Sequence, residues 1–113
     1  MIQLEIDPNY TNQSILITLE VKEIAKYVRF DIVYHENTKK WYLSLYDMTE
    51  EFYYCTNIPL VASYGYVNDL FAPYAYKDIG MLVCVPAVDN PSTPDPSEGN
   101  LKEFNLVWGE EIA

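Results

Sequence analysis

The residues best suited to catalysis or metal binding are one histidine, His35, and two cysteines, Cys55 and Cys84, in a chain of 113 residues. A nucleophilic thiol needs a neighbouring base, and a structural zinc ion needs four ligands, usually including a closely spaced cysteine pair. His35 lies beside a predicted hairpin turn with no Cys or Ser in a nucleophile setting nearby, and the two cysteines are far apart. We therefore expect a surface histidine and two buried, reduced thiols.

The acidic residues are the next candidates for chemistry, because a glycosidase needs two carboxyl groups about 5 to 9 Å apart across a cleft. Glu50 and Glu51 are neighbours in a predicted turn, and Glu110 and Glu111 lie near the end of the chain, so solvated surface charge is their expected role. The acidic segment 89–98 has prolines in place of the spacing and central glycine of a calcium-binding loop. The sequence therefore predicts no catalytic residue, no metal site and no cofactor, and we expect a protein that is not an enzyme.

The charge balance limits the partners, since 17 Asp and Glu residues stand against 7 Lys and Arg residues, for a formal net charge of -10. So few cations cannot neutralise a run of phosphates, and binding to nucleic acid or to an anionic membrane by charge is disfavoured. The chain starts without a basic segment followed by a long apolar one, and no apolar stretch approaches the length of a membrane span. We expect synthesis in the cytosol and protein partners.

Alternation of apolar and polar residues with a period of two is the main structural signal. Segments 28–35 and 41–46 show it most clearly, and the short polar loop between them predicts a hairpin with Trp41, Leu43 and Leu45 on the core face. No amphipathic window is long enough for a substantial helix. The sequence predicts a single all-β domain over residues 1–113, a small barrel or sandwich of about seven short strands at 2–7, 15–22, 28–35, 41–46, 52–56, 81–85 and 104–108.

Three segments depart from this alternation and carry separate predictions. Segment 81–85 is apolar throughout, so we expect a central strand that is covered on both faces. Segment 89–99 is polar and holds three of the seven prolines, so we expect an exposed loop. Residues 69–72 are expected to form one short helical turn that Pro73 ends.

Eleven tyrosines are more than one small core readily accommodates. Tyrosine is favoured at protein interfaces because its ring buries area while its hydroxyl stays hydrogen-bonded, although half-exposed tyrosines on ordinary strands explain the count equally well. We expect an interface in the irregular segment 57–78, whose side chains are not committed to a sheet face. The candidate interface residues are Tyr64, Tyr66, Phe71 and Tyr74.

Four short segments occur in an order that resembles the small baseplate plug proteins of contractile-tailed bacteriophages. They are residues 12–14 (NQS), 41–47 (WYLSLYD), 58–61 (IPLV) and 69–74 (DLFAPY), and the resemblance extends over roughly residues 9 to 108. It implies a non-enzymatic virion component, a compact β domain near the central hub of the tail baseplate that helps to close the tail before ejection. It also implies several copies per particle, contacts with hub, spike or tail-tube proteins, and assembly in the host cytoplasm into the virion.

A carbohydrate-binding β-sandwich is the alternative, because such modules stack sugars on exposed Trp and Tyr rings and share this composition. A module of this kind needs coplanar aromatic rings flanked by polar hydrogen-bonding groups. A small hydrolase is a third class, and no group of residues in the sequence supports it.

Overall fold

The computed structural model describes residues 1–112, which form two antiparallel β-sheets. Seven strands occur in this part of the chain: β1 (Ile2–Gln3), β2 (Asn12–Val21), β3 (Ile24–His35), β4 (Lys40–Asp47), β5 (Phe52–Pro59), β6 (Met81–Pro86) and β7 (Phe104–Gly109). One sheet has four strands in the order β2-β3-β4-β5, and the other has three in the order β1-β7-β6. The described chain also has two short 3-10 helices, Ala72–Lys77 and Leu101–Glu103.

The two sheets stack as a sandwich because their alternating strands each present one apolar face to the interior. The four-stranded sheet buries Val28, Phe30, Ile32, Trp41, Leu43 and Leu45, and the three-stranded sheet buries Leu82, Cys84, Phe104, Leu106 and Trp108. The predicted all-β fold is confirmed, in the form of a sandwich and not a closed barrel. The predicted core face of β4 is confirmed as well.

Hairpins build the four-stranded sheet. β3 and β4 pair antiparallel with Phe30 opposite Leu45, and this hairpin is the one that the sequence predicts. β2 and β3 are joined by only Lys22 and Glu23, whose φ angles of 51° and 64° are those of a type I′ turn. The sequence does not predict this turn, because it lacks the Asn or Gly that usually supplies a positive φ.

The first strand is shorter than the alternation over residues 2–7 predicts. β1 has two residues, with Ile2 opposite Trp108. One further hydrogen bond, from the N–H of Leu4 to the carbonyl of Leu106 (2.9 Å), follows it. β1 therefore joins the two ends of the chain through β7, which is the central strand of its sheet.

β6 lies at the edge of the three-stranded sheet, so its prediction as a central strand is wrong. Segment 62–70 covers its outer edge in place of another strand. The N–H of Ser63 donates to the carbonyl of Cys84 (2.7 Å), and the N–H of Leu70 donates to the carbonyl of Leu82 (2.8 Å). The apolar run of β6 reflects this covering, and an edge strand buried beneath a loop has the same sequence pattern as a central strand.

The polar, proline-rich segment is exposed only in part, because its second half packs on the sandwich. Pro96 is fully buried. The Asp95 carboxylate accepts a hydrogen bond from the N–H of Ala62 (2.8 Å), and the Ser97 carbonyl accepts one from Nε1 of Trp41 (2.8 Å). The prediction of an exposed loop is therefore wrong at Pro96. Buried N–H groups need partners, and this segment supplies them.

The helical turn lies slightly later in the chain than predicted. The Asp69 carboxylate accepts hydrogen bonds from the N–H groups of Phe71 (2.9 Å) and Leu82 (3.0 Å), which ties this turn to β6. The 3-10 helix follows, and Pro73 lies in its first turn instead of ending it. Proline is tolerated there because the N–H that it lacks would have no partner in the helix.

Candidate protein interface

The histidine and the cysteines have the surroundings that the sequence predicts. His35 is exposed at the end of β3, and its ring centre lies 4.5 Å from that of Tyr42. Cys55 and Cys84 are buried free thiols. Burial raises the pKa of the Cys55 thiol to about 11 and that of the Cys84 thiol to about 12. Because the thiolate is the nucleophilic form, neither cysteine is activated near neutral pH.

Asp47 is a buried carboxylate whose neighbours give it a structural role. Its Oδ1 accepts hydrogen bonds from the N–H groups of Thr49 (2.9 Å) and Glu50 (2.8 Å), and its Oδ2 accepts one from the Tyr54 hydroxyl (2.5 Å). Burial alone would raise the pKa of Asp47, but these bonds outweigh burial and hold the pKa below its ordinary value. Burial and the Asp47 charge raise the pKa of Tyr54. Both carboxylate oxygens are thus engaged in holding the turn after β4.

Two other carboxylates with a lowered pKa also make structural contacts. Lys22 donates to Asp78 in an ion pair of 2.9 Å, which lowers the Asp78 pKa. The backbone N–H and the hydroxyl of Ser92 donate hydrogen bonds to the Glu103 carboxylate, which lowers the Glu103 pKa. Within residues 1–112, no three His, Cys, Asp or Glu side chains are placed to hold a metal ion. No helix of the described chain is long and apolar enough to span a membrane.

The four predicted interface residues divide into exposed and buried side chains. Tyr66 is 71% exposed and Tyr64 is 45% exposed. Tyr74 is half-buried and packs against the core. Phe71 is 0% exposed, and its ring stacks on Phe30 with centroids 6.5 Å apart. Phe71 is therefore a core residue and not an interface residue, because the turn at Asp69 directs its side chain inward. The sequence does not reveal this direction, since irregular backbone has no periodic pattern of apolar residues.

The two exposed tyrosines of the predicted set, Tyr64 and Tyr66, lie on residues 61–68, which we call the tyrosine loop. Val61 and Val67 are exposed on the same loop, so it carries four exposed apolar or aromatic side chains. Gly65, between the two tyrosines, has a φ of +73°, a conformation that residues with side chains rarely adopt. The glycine therefore allows the chain to turn between Tyr64 and Tyr66.

The tyrosine loop is fixed to the sandwich by hydrogen bonds. The N–H of Ala62 donates to the Asp95 carboxylate (2.8 Å), and the N–H of Ser63 bonds to β6. The Tyr64 hydroxyl donates to the carbonyl of Pro94. A surface held in this way loses little conformational freedom when a partner binds, so more of its contact energy is available as affinity.

A second exposed surface crosses the outer face of the four-stranded sheet. The strand register places Leu16, Arg29, Tyr46 and Tyr53 side by side, and we call these four residues the sheet-face row. The guanidinium carbon of Arg29 lies 4.5 Å from the centre of the Tyr46 ring, and the Tyr46 and Tyr53 rings are 4.8 Å apart. Asp31 holds the guanidinium through two bonds of 2.8 and 3.0 Å.

Sequence reasoning does not find the sheet-face row, although one signal for it is present. Alternation puts Arg29 and Tyr46 on the polar faces of two strands that the predicted hairpin pairs. The register of that hairpin would have placed them opposite each other. Arg and Tyr together are typical of protein contact surfaces.

The rings of the sheet-face row do not form the flat platform of a sugar-binding module. The Tyr46 and Tyr53 rings meet edge to face at 66°. Trp41 and Trp108 are both buried, and Nε1 of Trp108 donates to the carbonyl of Ile79 (2.8 Å). The tryptophans, which stack best on sugars, are therefore unavailable at the surface.

Comparison with models of known protein families gives a match over nearly the whole chain. The model of the family described as "Cyanophage baseplate Pam3 plug gp18" matches residues 1–111. The chain belongs to this family. The resemblance to baseplate plug proteins that four short segments indicate is thereby confirmed. Baseplate plugs are structural proteins, so this plug is a component of the phage tail baseplate and associates with other baseplate proteins. No curated protein matches the chain.

Proposed function

We propose that the protein occupies a fixed place near the central hub of a contractile tail baseplate and helps to keep the tail closed before ejection. Its activity is association with hub, spike or tail-tube proteins, in several copies per particle, and it is not an enzyme. The observation that carries this proposal is the tyrosine loop, whose aromatic side chains are exposed while its backbone is bonded to the sandwich. Exposed tyrosines on a rigid support are typical of a lasting protein contact.

The charge of the protein supports a position beside the channel through which DNA leaves. A formal net charge of -10 on a chain of this size repels phosphates, so DNA that slides past is not retained. The same charge makes contact with a basic surface of another baseplate protein favourable. The acidic surface thus selects against nucleic acid and for protein partners.

The two exposed surfaces can supply the area that a stable contact requires. Specific interfaces bury on the order of 1,000 Å² or more in total, shared between the two partners. The sheet-face row adds a second aromatic and cationic area on another part of the molecule. A plug with neighbours on both surfaces is held from two sides.

The experiment that tests the proposal measures how much plug variant enters virions. Tyr66→Ser combined with Val67→Ser removes exposed side chains from the tyrosine loop and should leave the fold intact. Tyr76→Ser is the matched control, because Tyr76 is 77% exposed but lies outside the loop. We expect the loop variant to enter purified particles at a level lower by about tenfold or more, since loss of a hot spot costs at least about 2 kcal/mol. Mass spectrometry of virions from phage that lack the wild-type gene measures this level.

Circular dichroism and thermal melting of the purified variants show whether each is folded. If the folded loop variant enters virions as well as the control does, the tyrosine loop is not the contact surface. If purified particles never contain the protein, and glycan arrays show saturable binding that the same substitutions abolish, the carbohydrate-binding function replaces the assembly function.

A further inference from the structure

The two sheets have four edges, and three of them are closed to an additional strand. β1 is only two residues long, and segment 62–70 covers β6. β5 is irregular in its pairing with β4, has a φ of 52° at Asn57 and ends at Pro59. Lys77 also donates to the carbonyl of Tyr54 on this strand (2.6 Å). Proteins blunt exposed edges with features of these kinds.

The edge formed by β2 has none of these features. β2 is ten residues long and pairs with β3 in unbroken register from Asn12 to Val21. It contains no Lys, Arg, Pro or Gly, and Glu20 is its only charged residue. A long, regular and nearly uncharged edge pairs readily with another strand.

The backbone of β2 presents free hydrogen-bonding groups to that edge. The carbonyl of Thr11 accepts a hydrogen bond from the N–H of Tyr34 (2.8 Å), and in an antiparallel pair every second residue bonds to the neighbouring strand. The odd-numbered residues of β2 therefore bond to β3, and residues 12, 14, 16, 18 and 20 direct their N–H and C=O groups outward. Among residues 1–112, no group donates to these outward carbonyls and none accepts from these N–H groups.

The side chains beside this edge are incompletely covered. Ile15 and Ile17 face the core but are only half-buried, whereas Leu19 on the same face is fully buried. Leu16 on the outer face is 53% exposed. A strand placed next to β2 would cover the two isoleucines and Leu16 at once.

We propose that this strand is β2 of a second copy of the protein. The two strands pair antiparallel about a two-fold axis at Ile17 and join both four-stranded sheets into one continuous sheet. Pairing over residues 14–20 forms about eight inter-strand hydrogen bonds from the outward groups. The two Ile17 side chains then lie side by side and complete each other's burial.

A second copy fits this edge because β2 is complementary to itself in that register. Apolar residues face apolar or small residues, and the one charged residue faces a neutral one. The facing pairs are Ile15 with Leu19, Leu16 with Thr18, and Ser14 with Glu20. An isologous contact of this kind closes after two copies and leaves no β2 edge open.

Salt distinguishes self-association from binding to a basic partner. Each copy carries a formal net charge of -10, so two copies repel each other at low ionic strength. Screening of this repulsion should strengthen the dimer as salt is added. Binding to a cationic strand of another protein would weaken under the same change.

Sedimentation equilibrium of the full chain at about 0.5 M NaCl tests the proposal, because charge repulsion is then screened within a few ångströms. We expect a reversible dimer for the wild type and for Thr18→Ala. Thr18→Pro removes an outward N–H, blocks the edge and preserves every hydrogen bond to β3. It should raise the dimer dissociation constant about tenfold or more, while circular dichroism shows an unchanged fold.

A pair of double variants tests the register itself. Leu16→Glu with Thr18→Glu places carboxylates opposite one another across the dimer and should abolish it. Leu16→Glu with Thr18→Lys places opposite charges at the same positions and should restore it. Wild-type protein that stays monomeric in high salt overturns the proposal, and so does equal dimerisation of the two double variants. A monomeric protein that still enters virions would leave the baseplate function standing.

Discussion

Replacing Trp41 by Ala should lower the free energy of unfolding by about 4 to 6 kcal/mol. Trp41 is 3% exposed, and its ring centre lies 5.3 Å from that of Tyr34. Truncation of a buried Trp to Ala costs about 3 to 5 kcal/mol in lost packing. The Ser97 carbonyl also loses the donor at 2.8 Å, which adds about 1 kcal/mol or more. A domain of ordinary stability, about 5 to 15 kcal/mol, loses a large share of its total in this way.

Trp41→Phe separates the two contributions, because it keeps an aromatic ring in the core and removes only the N–H donor and part of the volume. We expect a loss of about 1 to 3 kcal/mol for this control. Urea denaturation followed by far-ultraviolet circular dichroism measures both variants without relying on tryptophan fluorescence. If Trp41→Ala has the wild-type midpoint, the ring does not carry core packing, and the assignment of the β4 inner face is refuted.

Two further predictions concern buried titratable groups. Asp47→Asn should destabilise the protein most near neutral pH and least in strong acid. The pKa of Asp47 is lowered in the folded state, so the charged carboxylate stabilises the fold fully above the ordinary carboxyl pKa. This contribution to the free energy of unfolding is lost as pH falls through the folded-state pKa. Urea denaturation midpoints of the variant and the wild type, compared across the pH range, measure this loss of stability. A difference between the two midpoints that stays constant with pH contradicts the prediction. Cys55 and Cys84 should not react with iodoacetamide at about pH 8 until the protein is denatured, as mass spectrometry would show, because burial raises both pKa values. Modification of the native protein would place a thiol at the surface.

Alternation made the central hairpin predictable from the sequence. Phe30 and Leu45 lie opposite each other on the inner face, while Arg29 and Tyr46 lie opposite each other on the outer face. A slip of one residue in the pairing would move the apolar side chains to the outer face. The alternation of apolar and polar residues therefore determines both the position of the strands and their register. The sandwich follows, because two sheets with one apolar face each must cover one another.

Features that depend on contacts between distant segments could not be predicted in the same way. The turn at Lys22 and Glu23 adopts positive φ angles with no glycine, because the long β2–β3 ladder on either side imposes that geometry. The edge position of β6 depends on segment 62–70, which bonds to it through Ser63 and Cys84, 21 residues apart, and through Leu70 and Leu82, 12 residues apart. The turn leaves no local pattern in the sequence, and the apolar run of β6 does not distinguish an edge strand covered by a loop from a central strand.

The exposure of the candidate interface residues could be predicted only in part, for a similar reason. Tyr66 and Phe71 lie five residues apart in one irregular segment, and both are aromatic. The first is exposed and the second is buried, because the Asp69 carboxylate binds the N–H of Phe71 and of Leu82 and turns the chain into the core. Composition identified the segment, and only the three-dimensional turn determines which ring faces outward.

The central position of β7 between β1 and β6 predicts the order in which this chain folds as it leaves the ribosome. The four-stranded sheet is encoded by residues 12–59 and is able to form early, but the other sheet lacks its central strand until residues 104–109 emerge. Until then we expect Phe30 and Leu43, which are buried in the complete sandwich, to face water. Sheets joined by such distant segments fold slowly, in milliseconds to seconds, and their open intermediates aggregate. We therefore expect a chain stalled before β7 to be a target for chaperones and proteases.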